Sequence, residues 1–330
     1  MKSWNKVWIC MTAAAFVLTA LPATESYAAK TVTQASDQNT MKLTNVDKEI
    51  QEKIKKEVRD LSGLSIVEAD VNMEGVNLTI TFKDNTGNMM MNKNTKEIVF
   101  LNLRLTFDQL EKAKQDKMIS LLKELNNKRK YAPKQVDLHK SPDETRISML
   151  GEDFAASMTD QDHTAYIDFS YKDIDASVRK NAEEALKKFS NGGNLKLTRA
   201  QLHKFVNNDP KNKEDSYVWR ISGGDEEQWI GLEIGAVTGK IYDVLIKKMD
   251  VPDKDKAYAD LDIKKVKAAV EAKTKSIFNI NLSGYEAKQE SKYGNKFAFT
   301  KKRSPSIEAR VDLKGNCYGI SLLPENGKRN

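Results

Sequence analysis

The chain has 330 residues, of which 39% are hydrophobic and 31% are charged, and its formal net charge is +7. This length and polarity suit several small soluble units better than one large core. Basic residues are interspersed with acidic ones and the aromatic residues fall at strand-core spacing. The pattern therefore argues against nucleic-acid binding, which requires a basic face with stacking aromatics.

The first residues have the pattern of a secretory signal peptide. Two lysines precede an apolar run from Val7 to Leu21, and the small residues Ser26 and Ala28 follow. A basic start, a short apolar centre and a small-x-small exit are typical of an export signal. We therefore expect residues 1–28 to be removed after Ala28. A retained anchor is the alternative, but the apolar run is shorter than a bilayer span.

Cysteine usage agrees with export. After the expected cleavage Cys317 is the only cysteine, so no intrachain disulfide can form. An exported protein held by packing alone fits a bacterial protein outside the cytoplasm better than a small disulfide-linked one. No later apolar run is long enough to span a membrane. We expect a secreted or cell wall-associated protein.

The remainder of the chain is predicted to be an α+β protein of four tandem units, each consisting of one helix packed on a small antiparallel sheet. Apolar residues recur at helical spacing from near residues 46, 107, 175 and 262, and runs with strand spacing follow each helix. The predicted divisions are a polar linker at 29–45, units 1 and 2 at 46–171, unit 3 at 172–250, a charged linker at 251–260, unit 4 at 261–324 and a tail at 325–330.

The clearest strand pattern lies between residues 217 and 246. Apolar side chains there occupy every second position, namely Tyr217, Trp219, Ile221, Ile230, Leu232 and Ile234. A period of two indicates strands with one buried face, and the intervening glycines supply turns. The segment is predicted to form a three-stranded antiparallel meander.

Trp229 and Glu233 fall on the opposite phase of this meander. Trp219 is predicted to point into the core, whereas Trp229 lies on the face of Gly231 and Glu233. An aromatic residue on the outer face is a candidate binding anchor. We therefore select Trp229 and Glu233 as candidate binding residues.

Three segments share a strand-turn-strand pattern. Residues Glu233–Ile241 read Glu-Ile-Gly-Ala-Val-Thr-Gly-Lys-Ile, Arg310–Asn316 is a fair match, and Asn92–Ile98 is a weaker one with Lys96 in place of the glycine. A helix followed by strands that end in this pattern resembles the PepSY domain of the propeptides of secreted thermolysin-like metallopeptidases. It also resembles the YcdB/YcdC-type tandem repeats of exported Gram-positive proteins. Unit 2 lacks the pattern.

The resemblance implies a PepSY/cystatin-like fold for each unit and a non-enzymatic role in binding or restraining peptidases. It carries no catalytic residues to this chain. Its glycines, Gly239 and Gly315, are predicted to be structural turn residues with positive φ between two strands.

Patterns for catalysis or metal binding are weak. Ser177 and Lys180 have the spacing of a Ser-x-x-Lys pair, but the partner motifs of that class are absent. The three histidines are far apart in sequence and form no zinc-binding spacing. We therefore expect no catalytic residues, no metal and no cofactor.

The favoured function is that of an exported, non-enzymatic modulator, as inhibitor or chaperone, of secreted peptidases or envelope proteins. A secreted metallopeptidase is the expected partner. Two alternatives stay open: an envelope scaffold that binds anionic wall polymer, and a hydrolase with an unrecognised site.

Overall fold

The structure is a computed structural model that describes residues 40–66, 68–83, 86–190, 195–208, 215–248 and 258–330. The expected signal peptide 1–28 lies outside the described residues, as does most of the expected linkers 29–45 and 251–260. The part of the chain from Met41 onward forms one compact unit.

Four α-helices occur in the described ranges, close to the positions that the apolar spacing predicts. They are α1 (Lys48–Ser62), α2 (Lys112–Leu125), α3 (Ala176–Ser190) and α4 (Ile263–Phe278). Asp262 caps α4 as its side chain accepts a hydrogen bond from the Lys264 amide, and Gly63 ends α1 in the left-handed conformation. Short 3-10 helices occur at Leu43–Asn45, Phe107–Gln109 and Tyr171–Asp173.

The strands account for most of the remaining described chain. They are β1 (Thr40–Lys42), β2 (Ala69–Glu74), β3 (Asn77–Phe82), β4 (Gly87–Asn92), β5 (Ile98–Leu105), β6 (Gln135–Lys140), β7 (Thr145–Leu150), β8 (Phe154–Met158), β9 (Asp162–Ser170), β10 (Leu197–Asn207), β11 (Asp215–Gly224), β12 (Gln228–Gly235), β13 (Ile241–Lys248), β14 (Glu286–Gln289), β15 (Lys296–Thr300), β16 (Ser306–Val311), β17 (Cys317–Leu323) and β18 (Lys328–Arg329). Two of them lie in segments expected to be irregular: β1 in the first linker and β18 in the tail.

All these strands belong to one sheet of 18 strands. From β2 to β13 each strand pairs antiparallel with the next strand of the sequence. β13 then pairs with β17, and β16, β15 and β14 follow in antiparallel order. The predicted three-stranded meander is the part of this sheet formed by β11, β12 and β13.

The prediction of four tandem helix-on-sheet units is therefore wrong. The pairs β5–β6, β9–β10 and β13–β17 join residue ranges that the prediction assigns to different units. Each helix packs on the sheet and does not close a separate unit. The strands that follow a helix in the sequence therefore join the same sheet as the strands that precede it. Strand β10, which connects β9 to β11, was not recognised at all.

The helices and one face of the sheet share a single core. α2 contacts β8 and β9, α3 contacts β12 and β13, and α4 contacts β13 and β17. Their inward residues belong to the same buried cluster as the apolar residues of the strands. Trp219, predicted to point inward, lies in this core with 8% of its surface exposed. The opposite face of the sheet carries the polar residues that form the candidate site.

The three turns that carry the repeated motif each place one residue in the left-handed region, and the turns at Lys96 and Gly239 share the same hydrogen bond. Gly239 and Gly315 adopt φ values of +67° and +81°, as expected, and Lys96 adopts +58° without being glycine. The amide of Lys96 donates to the Asn92 carbonyl over 2.7 Å, and the amide of Gly239 donates to the Gly235 carbonyl over 2.9 Å. Lys96 thus occupies a left-handed position that glycine fills at no steric cost.

Relieving this strain should stabilise the protein. The free energy of unfolding of Lys96→Gly should exceed that of Lys96→Ala by about 1 kcal/mol. A Cβ in the left-handed region costs roughly 1–2 kcal/mol, and the larger unfolded-state entropy of glycine offsets part of this gain. The alanine variant is the matched control, since both changes remove the exposed ion pair between Lys96 and Glu49. Chemical denaturation measures the difference. Coincident midpoints with unchanged slopes would contradict it.

Candidate functional site

Four polar residues lie at directly paired positions across neighbouring strands. Arg220 of β11 is paired with Glu233 of β12, Glu233 with Asp243 of β13, and Asp243 with Ser321 of β17. Directly paired residues carry their side chains on the same side of a sheet. We name this set the ionic row and the side of the sheet that carries it the polar face.

Glu233 is the centre of the ionic row. Only 3% of its surface is exposed, and each carboxylate oxygen accepts one charged hydrogen bond. Arg220 donates from Nε to Oε1 over 2.9 Å, and Arg329 of β18 donates from Nη1 to Oε2 over 2.8 Å. Burial alone would raise the pKa of Glu233. The two guanidinium groups together lower the pKa by more than burial raises it, so it lies below its usual range. Glu233 is therefore held as a carboxylate.

Asp243 lies beside Glu233 in a different electrostatic setting. The Ser321 hydroxyl donates to its Oδ2, and Arg310 Nη1 is 4.0 Å from the same oxygen. Burial first, and then the negative charge of Glu233, raise the pKa of Asp243 to about 6, against the opposing effects of Ser321, Arg310 and Arg329. The two carboxyl groups of the row consequently titrate in different pH ranges.

His203 of β10 extends the polar face and is electrically neutral. It is buried, its Nε2 is 3.0 Å from the Thr164 hydroxyl, and it is paired with Val218, two residues before Arg220. Burial and the positive charge of Arg220 lower the pKa of His203 to about 3. It therefore carries no positive charge near neutral pH.

Residues 327–330, which we call the closing segment, cover part of the polar face. Its strand β18 pairs in parallel with the start of β11, Asp215 with Lys328 and Ser216 with Arg329. The Thr238 hydroxyl donates to the carbonyl of Asn330. A Cβ added at Gly235 would clash with the same carbonyl, so glycine is required there.

The structure places the two candidate binding residues differently. Trp229 is half-buried and lies against Gly231, where an added Cβ would clash with the indole ring. Glu233 is buried, so the expectation that it lies on an outer surface is wrong. A period of two separates the faces of a strand but does not reveal what covers the second face. Here arginine side chains and the closing segment cover it. Whether either residue binds a partner stays a prediction.

Sequence reasoning missed three members of the ionic row, Arg220, Asp243 and Ser321, and the two arginines that contact it, Arg310 and Arg329. A signal existed for Asp243, which interrupts the run Ile-Tyr-Asp-Val-Leu-Ile, and for Arg220, which follows a core tryptophan. A charged residue inside an otherwise apolar strand pattern indicates a second buried face. Arg329 gave no local signal, because it was assigned to an unstructured tail.

Other features of the described residues add no further site. No group of three or more histidine, cysteine, aspartate or glutamate side chains there is placed to hold a metal ion. None of the helices in these ranges has both the length and the apolar character needed to cross a membrane. Comparisons of the chain with protein-family models, with curated proteins and with solved structures found no match.

Removing the central carboxylate should destabilise the protein strongly. Glu233→Ala is expected to lower the free energy of unfolding by roughly 3–5 kcal/mol, since it leaves two guanidinium groups without their shared partner in a largely buried site. Glu152→Ala is the control, because the Glu152–Lys134 pair is exposed and such pairs contribute less than about 1 kcal/mol. Equal denaturation midpoints for the two variants would rule out this account of Glu233.

Asp243 should make stability depend on pH. Its folded pKa of about 6 lies above its ordinary value of 3.8, so the folded state binds more protons between these values and stability falls as the pH rises through them. The difference between these two pKa values corresponds to a change in the free energy of unfolding on the order of 3 kcal/mol. Asp243→Asn mimics the protonated carboxyl and should gain stability relative to the wild type between about pH 4 and pH 7.

The comparison with Asp243→Asn isolates this effect. Glu233 has the opposite pH dependence: its lowered pKa contributes stability that is lost as the pH falls through that pKa. This contribution is present in both proteins and therefore cancels in the comparison. Unfolding free energies should be measured by denaturation at several pH values. Parallel pH profiles for the two proteins would show that Asp243 does not titrate in this range.

Proposed function

We propose that the protein is an exported, non-enzymatic binding protein that restrains or escorts a secreted metallopeptidase or another protein of the cell envelope. The observation that carries this proposal is the position of Trp229, a half-buried aromatic on the polar face, four residues along β12 from Glu233. The signal-peptide pattern and the PepSY-like hairpins support an extracytoplasmic, peptidase-related role. The four-unit architecture is no part of the proposal.

The surroundings of Trp229 suit an anchor residue. Its indole lies against Gly231, which has no side chain to separate the ring from the backbone. A ring supported in this way loses little conformational freedom when a partner binds. Tryptophan is also among the residues that most often dominate binding energy at protein interfaces.

The strands beneath Trp229 are held in fixed register. β12 pairs with β11 on one side and with β13 on the other. The ion pair between Arg220 and Glu233 joins two of these strands on the same face as Trp229. A partner would therefore meet a pre-organised surface, which favours binding because ordering costs have been met during folding.

The two alternatives are less well supported. Arg220 and Arg329 both bind Glu233, so their charges are compensated within the protein instead of being presented to an anionic polymer. A hydrolase is favoured by the separated pKa values of Glu233 and Asp243, since acid–base catalysis uses such pairs. Both carboxyl groups are buried, however, and substrate would have to displace their cover to reach them.

Two tryptophan substitutions test the proposal. Trp229→Ala should weaken binding to a secreted peptidase by about 1–3 kcal/mol and lower stability less than Trp219→Ala does, because Trp229 is only half-buried. Trp219→Ala should lower the free energy of unfolding by about 3–5 kcal/mol, as truncation of a core aromatic does. Binding is measured by titrating metallopeptidases of the same secretome and by their inhibition, with chemical denaturation alongside.

Gly231→Ala provides an independent variant. Its methyl group would displace the indole without removing it, so it should weaken binding in the same direction as Trp229→Ala. If Trp229→Ala unfolds the protein, the anchor assignment fails. If the wild-type protein binds and affects none of the peptidases, the peptidase role fails; steep salt dependence of binding to wall polymer would then favour the scaffold role.

A further inference from the structure

Strand β18 fills a short slot at the edge of β11. The first residues of β11 extend beyond β12, because pairing with β12 begins at Val218, opposite Gly235. On the other side of β11, Ser216 is already paired with Phe205 of β10. The free side of this end of β11 accepts β18, in parallel and over two residue pairs.

The slot contains a built recognition site for a guanidinium group. Glu233 is almost fully buried, and Arg329 donates to its Oε2 over 2.8 Å. Arg220 occupies the other carboxylate oxygen. Removal of Arg329 would leave one oxygen of a buried carboxylate without its charged donor, so the slot favours a strand that carries an arginine at this position.

Other contacts in the slot are made to the backbone of the bound strand. The Asp215 amide donates to the Gly327 carbonyl over 3.2 Å, and the Thr238 hydroxyl donates to the Asn330 carbonyl. Asp215 also lies 3.9 Å from the ammonium of Lys328, at the exposed rim. Backbone pairing together with one side-chain pocket is the pattern by which sheets bind extended peptides.

We propose that this slot is a docking site for an extended basic segment of a partner protein, and that the closing segment occupies it as an intramolecular substitute. The inference rests on the proposed binding function and specifies the chemistry of the partner. The segment runs parallel to β11 and places an arginine against Glu233. Charge complementarity selects it, because the slot presents the carboxylates of Glu233 and Asp215.

Competition between the two segments makes the proposal measurable. A tethered segment acts at an effective concentration on the order of millimolar, so it masks the slot from a peptide in solution. The apparent affinity of the peptide is its intrinsic affinity multiplied by the fraction of molecules whose slot is open. Weakening the tethered contact should therefore tighten the binding of the free peptide.

The experiment uses the full chain and a labelled peptide that spans residues 324–330, Pro-Glu-Asn-Gly-Lys-Arg-Asn. Fluorescence anisotropy should show the peptide binding to the Arg329→Ala protein at least about tenfold more tightly than to the wild type. A peptide with alanine at its arginine should lose this binding. Lys328→Ala is the matched protein control and should behave like the wild type, because Lys328 pairs with Asp215 only at the rim.

Hydrogen exchange provides a second readout at the slot. The Asp215 amide should exchange faster in Arg329→Ala than in the wild type, because its acceptor is the Gly327 carbonyl of the closing segment. Addition of the wild-type peptide should restore the protection. Unchanged exchange in the variant would mean that the segment does not open, and would overturn the proposal.

Further outcomes separate this proposal from the proposed function. Equal binding of the peptide to both proteins, or of both peptides to Arg329→Ala, would overturn the slot. Unfolding of Arg329→Ala would also overturn it, since the segment would then be a structural part of the sheet. If the slot proposal fails while Trp229→Ala still weakens peptidase binding, the proposed function remains supported without the slot. If the peptide binds as expected but no peptidase does, the slot stands and the peptidase role fails.

Discussion

The burial of Glu233 is the constraint on which the polar face depends. A carboxylate removed from water costs several kcal/mol unless charged donors replace the lost hydration. Arg220 and Arg329 supply one donor to each oxygen. The two arginines come from positions 220 and 329, so a single ionic requirement ties the middle of the meander to the closing segment. A shift of the β11–β12 register by one residue would turn Glu233 toward the apolar core, which makes this register strongly specified.

Burial and the charge of Glu233 together raise the pKa of its neighbour Asp243. Asp243 is paired directly with Glu233, and two adjacent buried carboxyl groups cannot both ionise cheaply. The arginine donors favour ionisation of Glu233, so Asp243 retains its proton to a higher pH. Arg310 Nη1, buried and without a hydrogen-bond partner among the described residues, lies near the group that would become charged. The row can therefore take up or release one proton without loss of its central ion pair.

The sequence predicted individual elements better than their arrangement. Period-two patterns located the meander of β11, β12 and β13, and helical spacing located all four helices of the described chain. Strand β10 was missed because its pattern, Leu-Thr-Arg-Ala-Gln-Leu-His-Lys-Phe-Val-Asn, buries only Ala200, Leu202 and His203. Without β10, nothing indicated that β9 and β11 belong to one sheet. Pairing between distant strands has no local signal, whereas hairpins and caps do.

The repeated motif shows why a resemblance between hairpins did not extend to the fold. Lys96 and Gly239 have the same backbone conformation and the same turn hydrogen bond, so the motif reports a hairpin geometry. Separate units and a continuous meander use such hairpins equally well. The ionic row distinguishes the two arrangements, because Asp243 meets Ser321 only where β13 pairs with β17 across the expected boundary between units 3 and 4. The candidate site is consequently a product of the joined sheet, and no single helix-and-hairpin unit contains it.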